Sequence, residues 1–584
     1  MTKTASERLE KKPVLTVELG LYGSILTLAL ALRLLALGRW PLLDQEAALT
    51  LAAWRFARGL PASLRGHSPL LFHLNTALFF LTGGGDNQAR LWCVLLGSLL
   101  VLLPYGLRRS LGRIGALASA LLLAISPSFT YFSRTVEGSV IVAFAALGLL
   151  VIFMGYLEER RAVYIPMAVA LVMLALLAGP LAYTMLAAWL TFPVFLRIRA
   201  RFTKSRASLD EVRLAWRDVV ADSSPWRWAF ISAASLFLVF GLAFLYNPLG
   251  LQLTLDQLGQ WFGGFSFLSK SPWYRTLLLL FFYEALALFC GLAGFLLERK
   301  RCDTFTLLLR YWAVFAFLFS VVPGYRPPRS ALLLLLPFIL AAGQAIERLW
   351  QGLQVAVKEP MFWVLIALSL IISAAIYIQL VSYLAVSVSV YLLRVAALVV
   401  FVISAYALFW SMAGPEIPLR AVSLSLLLLL FLVLMRTEVR LNYFQARDPR
   451  EPIVGGTATS LEVLELAQQA AELSSHLQGD ARVMHWLVDE RLEIPLGWYL
   501  RNFEQVTYIS RLTAEPEDAG VILPVGASAP AKYVGLHFGL RSAWAGGKYS
   551  SLEWLRWWTG LRSALPVPQT EEVVLWVKSP LRSE

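Results

Sequence analysis

The chain has 584 residues, of which 58% are hydrophobic and only 15% charged, and its formal net charge is +13. That composition excludes an ordinary soluble globular protein. Apolar runs of about 20 residues recur through the first three quarters, which points to a polytopic membrane protein built from helices, since membrane β-barrels show short alternating segments instead.

In chain order, spans are expected near residues 15–38, 88–107, 112–131, 137–156, 162–178, 181–197, 228–246, 276–297, 304–322, 330–347, 361–381, 385–411 and 418–436, about thirteen in all. The first is too long for a signal-peptide core and has no small-residue cleavage site behind it, so it reads as a retained helix. Gly179 and Pro180 separate two spans that would otherwise fuse, because proline removes a backbone donor. Basic residues collect in every second loop: at the N-terminus, 108–113, 158–161, 197–227 and 298–301. These loops are expected to be cytoplasmic, which puts the N-terminus inside the cell membrane and everything after Arg440 outside it. The same asymmetry and attraction to membrane lipid explain the positive charge, with no call for nucleic acid.

Three cysteines, Cys93, Cys290 and Cys302, offer no disulfide framework to the tail. There is no Cys/His cluster at metal-ligand spacing, no phosphate-binding Walker loop and no dinucleotide fingerprint. The expected organisation is a transmembrane domain over 1–439, with a long first outer loop at 39–87, followed by a small extracytoplasmic α/β domain over 440–584. In that tail "SLEVLELAQQAAELSSHL" and "PLGWYLRNF" read as helices, and "ARVMHWLVD", "QVTYIS", "GVILPV" and "EEVVLWVK" as strands. Its aromatic residues, Trp498, Tyr499, Trp554, Trp557 and Trp558, read as core rather than as a sugar-stacking platform.

The first outer loop carries "RWPLLDQEAALTLAAWRFARG" and "GHSPLLFHLNTALFFLTGG", which look like two short amphipathic helices in the interface. Asp44 and Glu46 open the first. Acidic side chains there favour the positive end of a helix dipole, which is one reading. The other is that a carboxylate pair beside an apolar cavity deprotonates an acceptor or holds a divalent cation. Arg326 and Arg329 lie in the stiff turn "VVPGYRPPRS", suited either to binding phosphate oxygens or to snorkelling at a helix end. Lys270 stands among aromatics in "WFGGFSFLSKSPWYR", and His67 lies in the "GHSP" turn.

The order of the acidic pair, "GHSPLLFHL", "ARLWCVLLGSLL", "AISPSFTYFSRTVEG", "SPWYRTLLLLFFYEALAL" and "VPGYRPPRSALLLLLPFILAAG" resembles the GT-C superfamily of membrane glycosyltransferases. Within it, the similarity is to a bacterial and archaeal group named for an association with flippase activity, related to protein mannosyltransferases and the lipid A aminoarabinose transferase. The resemblance implies an α-helical GT-C-like fold and inverting transfer of a sugar from a polyprenyl-phosphate carrier to a glycan, lipid or protein acceptor outside the cytoplasm. An acidic residue of the first loop would act as base. Glu46 and Ala47 match the Glu-Ala of the family's Asp-Glu-Ala pattern, but the expected Asp falls on Gln45. Asp44 stands one position early, turned by about 100° on a helix. Asp44 is therefore the expected base or metal ligand, and Glu46 the residue that orients it. Arg326, with Arg329 and Lys270, is expected to bind the donor phosphate; His67, Arg134 and Glu137 are expected to contact substrate. Two other readings remain: a non-catalytic relative acting in lipid-linked sugar translocation or as a scaffold, and a secondary transporter, for which Glu284 is the main ionisable residue within a span.

Overall fold

A computed structural model describes residues 17–62, 66–203, 206–243, 250–265, 274–322, 327–512, 520–527, 533–544, 549–561, 565 and 568–578. Among them, nine helices are long and apolar enough to cross a membrane: Val17–Leu34, Asp86–Leu111, Ser139–Glu159, Leu181–Phe202, Thr304–Val321, Pro328–Ala356, Pro360–Val386, Val390–Met412 and Glu416–Phe444. Two bent pairs bring the number to as many as eleven: Arg113–Ile125 with Pro127–Ser133, bent by 54°, and Arg275–Tyr283 with Ala285–Leu297, bent by 96°. The remaining two expected spans fall outside this set. Tyr164–Ala178 has 15 residues, and Ser224–Leu236 continues without a break into a π-helical turn over Phe237–Gly241. They pack against one another. Among the described residues, nine to eleven helices thus have the length and composition of full spans, against about thirteen expected.

Both bends have local causes, and they meet. Pro127 cannot donate a helical hydrogen bond, and Ser126 caps the new helix by accepting from the Phe129 amide at 3.3 Å. Glu284 sits at the other break and is almost fully buried. Its carboxylate accepts from the Ser126 hydroxyl at 2.6 Å and from the Ser128 amide at 2.9 Å. The transporter reading drew on Glu284; here the residue ties two broken helices together. Beyond Pro127–Ser133 the chain turns through 134–138, and this turn carries Glu137.

The C-terminal part contains a six-stranded mixed sheet, formed by β1 (Thr457–Thr459), β2 (Trp486–Asp489), β3 (Val506–Ile509), β4 (Gly520–Pro524), β5 (Tyr533–Ala543) and β6 (Thr570–Lys578). Their order across the sheet is β1-β5-β6-β4-β2-β3. β2 pairs in parallel with β3 and β4, whereas β6 runs antiparallel to β4 and β5. Helix Glu462–Gln478 buries Val463, Leu466 and Ala470 with the sheet's inner residues.

Two features fasten this sheet to the membrane helices. Helix Glu493–Tyr499 packs on helix Asp44–Ala57, with Arg55 bonded to Glu493 at 2.8 Å and the Trp498 indole donating to Asp86 at 2.6 Å. Helix Ser551–Thr559 places Trp554 and Trp557 against Phe282, at ring separations of 5.7 and 5.2 Å. Trp498, Trp554 and Trp557 are core residues, as expected, but the core they fill is continuous with that of the membrane helices. The first outer loop also departs from expectation. Helix Asp44–Ala57 buries most of its residues and packs against helix Pro69–Thr82 and the Glu493–Tyr499 helix. It is an internal support for the sheet, not an amphipathic helix resting on lipid.

Candidate active site

The two carboxylates of the first loop have unlike surroundings. Leu43 is extended and helix begins at Asp44, so both carboxylates occupy the first turn, where exposed backbone amides favour negative charge. Glu46 is 3% exposed. One of its oxygens accepts from the Val136 amide at 2.8 Å; the other accepts from the Leu43 amide at 2.8 Å and from Arg447 at 3.0 Å, with Arg90 at 3.6 Å. It thereby joins the helix start, the 134–138 turn and the segment leaving the last membrane helix.

Asp44 is half-buried. Its Oδ2 accepts from Arg541 on β5 at 3.0 Å and from the Thr457 hydroxyl on β1 at 3.4 Å. Its Oδ1 is buried and has no hydrogen-bond partner among the described residues. Burial pushes the Asp44 carboxyl above its ordinary value, Arg541 opposes this, and Glu571 adds slightly to it. Arg541 is shared: it also donates to Glu571 on β6 at 2.6 Å, and the two residues stand opposite one another in the β5–β6 ladder. A carboxylate with one vacant oxygen and a raised affinity for protons has the properties of a general base.

Two chambers adjoin at this point. The larger, of about 540 Å³, is lined by Gln45, His67, Gln257, Trp261, Phe265 and Phe319 among others; the smaller, of about 220 Å³, by Asp44, Glu46, Tyr131, Thr135, Ile453 and Thr457 among others. Gln45, Val136, Glu137, Pro327 and Arg329 line both. Arg329 and Glu137 form an ion pair on this shared wall.

Of the residues singled out from sequence, Asp44, Glu46, Glu137 and Arg329 thus face one chamber, and His67, Glu137 and Arg329 the other. Burial makes the His67 ring less basic than an exposed imidazole. Arg134 requires a correction. Its guanidinium donates to the carbonyls of Leu32, Leu35 and Ala36 at 2.9, 2.7 and 3.0 Å and lies over the Tyr443 ring, so it caps the first membrane helix and lines neither chamber. Lys270 and Arg326 lie outside the described residues. Arg447, Arg541, Thr457 and Gln257 escaped sequence reasoning, since each sits in an isolated position without a surrounding motif. Among the described residues, no three His, Cys, Asp or Glu side chains converge as a metal-ligand set.

The helical bundle with broken spans, the buried first-loop helix and the sheet packed over it make up a fold similar to that of GT-C membrane glycosyltransferases of known structure. A family model described as dolichyl-phosphate-mannose-protein mannosyltransferase matches residues 66–215. Among solved structures, the chain is similar to ArnT from Cupriavidus metallidurans in the apo state, with 14% identity, 96% of this chain and 98% of that one covered, and a TM-score of 0.53. It is similar to the same protein bound to undecaprenyl phosphate, with 14% identity, 95% and 98% covered, and a TM-score of 0.51. The apo form of the oligosaccharyltransferase of Archaeoglobus fulgidus shares 13% identity, with 87% of this chain and 69% of that one covered, at a TM-score of 0.50. No curated protein matches the chain in sequence.

Proposed function

We propose that this protein is an inverting glycosyltransferase of the cell membrane that moves a sugar from a polyprenyl-phosphate carrier to an acceptor hydroxyl at the outer face. The observation that carries the reading is that Asp44, whose Oδ1 has no hydrogen-bond partner among the described residues, lines the same chamber as Arg329. Asp44 takes the proton from the acceptor hydroxyl as its oxygen bonds to the sugar's anomeric carbon. The bond from that carbon to the phosphate oxygen breaks, and the carrier leaves as its phosphate. Arg329 holds the departing phosphate through charge-assisted hydrogen bonds, and Glu46 fixes the helix from which Asp44 projects. The structure of ArnT bound to undecaprenyl phosphate supports this choice of donor class. Arg326 and Lys270 would add positive charge for the phosphate, and His67 a substrate contact.

Single-turnover transfer by purified protein in nanodiscs, with a panel of polyprenyl-phosphate sugars and a divalent-cation titration, tests the proposal. Asp44→Asn should slow transfer by about 10²–10⁴-fold, the usual contribution of a positioned general base, while donor binding is retained. Wild-type rates in that variant would remove Asp44 from the chemistry. No transfer from any donor, with carrier binding intact, would favour the translocation or scaffold reading.

A further inference from the structure

Gln257, on helix Gly250–Gly263, is 2% exposed. Neither its Nε2 nor its Oε1 has a hydrogen-bond partner among the described residues, and the residue lines the larger chamber. A buried primary amide with both ends unpaired is costly and calls for an explanation. A water-sized gap would suffice for one bridging water, yet this chamber holds about 540 Å³, a volume suited to a small organic ligand.

The chemistry of the amide narrows the ligand class. It presents two N–H donors and one carbonyl acceptor. A phosphate, offering only acceptors, would leave the carbonyl unanswered; an ammonium, offering only donors, would leave the N–H groups unanswered. A pair of neighbouring hydroxyls answers both. The surrounding wall agrees, since Gln45 and Gln260 contribute further neutral amides, and Trp261 has its indole fixed by donation to the Thr184 hydroxyl at 2.9 Å. Among the described lining residues, the Asp, Glu, Lys and Arg side chains are limited to the paired Glu137 and Arg329 on the shared wall.

We infer that Gln257 is a specificity-determining contact for a neutral, hydroxyl-bearing sugar ring in the larger chamber, beside the phosphate position at Arg329. The inference rests on the transferase reading and adds to it the part of the ligand that Gln257 recognises. The ring belongs to the donor or to a saccharide acceptor; both present the same chemistry.

The test uses the full chain in nanodiscs and the variant Gln257→Met, which keeps length and removes both polar ends. The probes are undecaprenyl phosphate, undecaprenyl phosphate carrying a hexose, and free methyl hexosides. The variant should bind the bare carrier as the wild type does and the hexose-bearing carrier at least ten-fold more weakly. Its melting temperature should be equal or higher, because an unpaired buried amide has been replaced by an apolar group. An unchanged affinity for the hexose-bearing carrier, with ten-fold weaker binding of methyl hexosides, would support the inference and assign the ring to the acceptor. Unchanged binding of both sugar probes would overturn it, as would a lowered melting temperature with both carriers weakened equally. If the wild type binds neither carrier, the donor proposed above is wrong, and the methyl hexosides alone then decide for or against Gln257.

Discussion

Glu46→Gln separates a structural carboxylate from a chemical one. The substitution preserves shape, but it removes the negative charge facing Arg447 and Arg90, whose side chains are 4% and 1% exposed. It also replaces an acceptor oxygen by an amide donor, set against either the Val136 amide or the Leu43 amide and Arg447. Charge-assisted hydrogen bonds contribute about 1.5–3 kcal/mol each, yet the contacts share one carboxylate and do not add. The better guide is the removal of one partner from a buried ion network, about 3–5 kcal/mol. Unfolding in nanodiscs should therefore show a loss of that size, and transfer by the folded fraction should fall much less than in Asp44→Asn. A Glu46→Gln protein as stable as the wild type but a hundred-fold slower would refute the assignment and make Glu46 the base.

Arg541→Ala removes the cation that favours the charged form of Asp44, so the Asp44 carboxyl should titrate at higher pH; the acidic limb of the pH–rate profile should move upward, with Arg541→Lys restoring most of it, and an unmoved limb would detach Asp44 from the rate. Arg134→Ala leaves the Leu32, Leu35 and Ala36 carbonyls without their donor and should cost about 2–4 kcal/mol of stability without altering donor affinity in the folded protein, as measured by carrier binding. Tags after Met1 and Glu584 should report opposite sides of the membrane, because basic residues collect in every second loop from the N-terminus onward; the same side for both would overturn the orientation.

Sequence pattern revealed the membrane helices well, because a run of about 20 apolar residues has one economical use in a bilayer. Its weakest matches are Tyr164–Ala178 and the helix that continues from Ser224–Leu236 through Phe237–Gly241, two elements that pack against one another. In the tail, β2, β3, β4 and β6 were legible, but β5 was not. Gly535 and Gly539 interrupt its alternation, and Gly535 is where the Trp576 ring of β6 lies across the backbone. That missed strand carries Arg541, so half of the Asp44 environment was missed with it. The Asp44 and Glu46 pair was visible as a motif, and the family resemblance divided their expected roles, but the partners that enclose Glu46 were not legible, because Arg90, Arg447 and Val136 lie far away along the chain.

The Arg541 contact also bears on biosynthesis. Asp44 is made early, and the arginine that meets it lies 497 residues further along the chain. Membrane helices enter the bilayer as they are made, whereas β5 can pair with β6 only after translation passes residue 570. A nascent chain can therefore be fully threaded and still lack the electrostatic setting of its carboxylate. Assembly of the Asp44–Arg541–Glu571 group thus waits on a part of the chain made long after Asp44 itself.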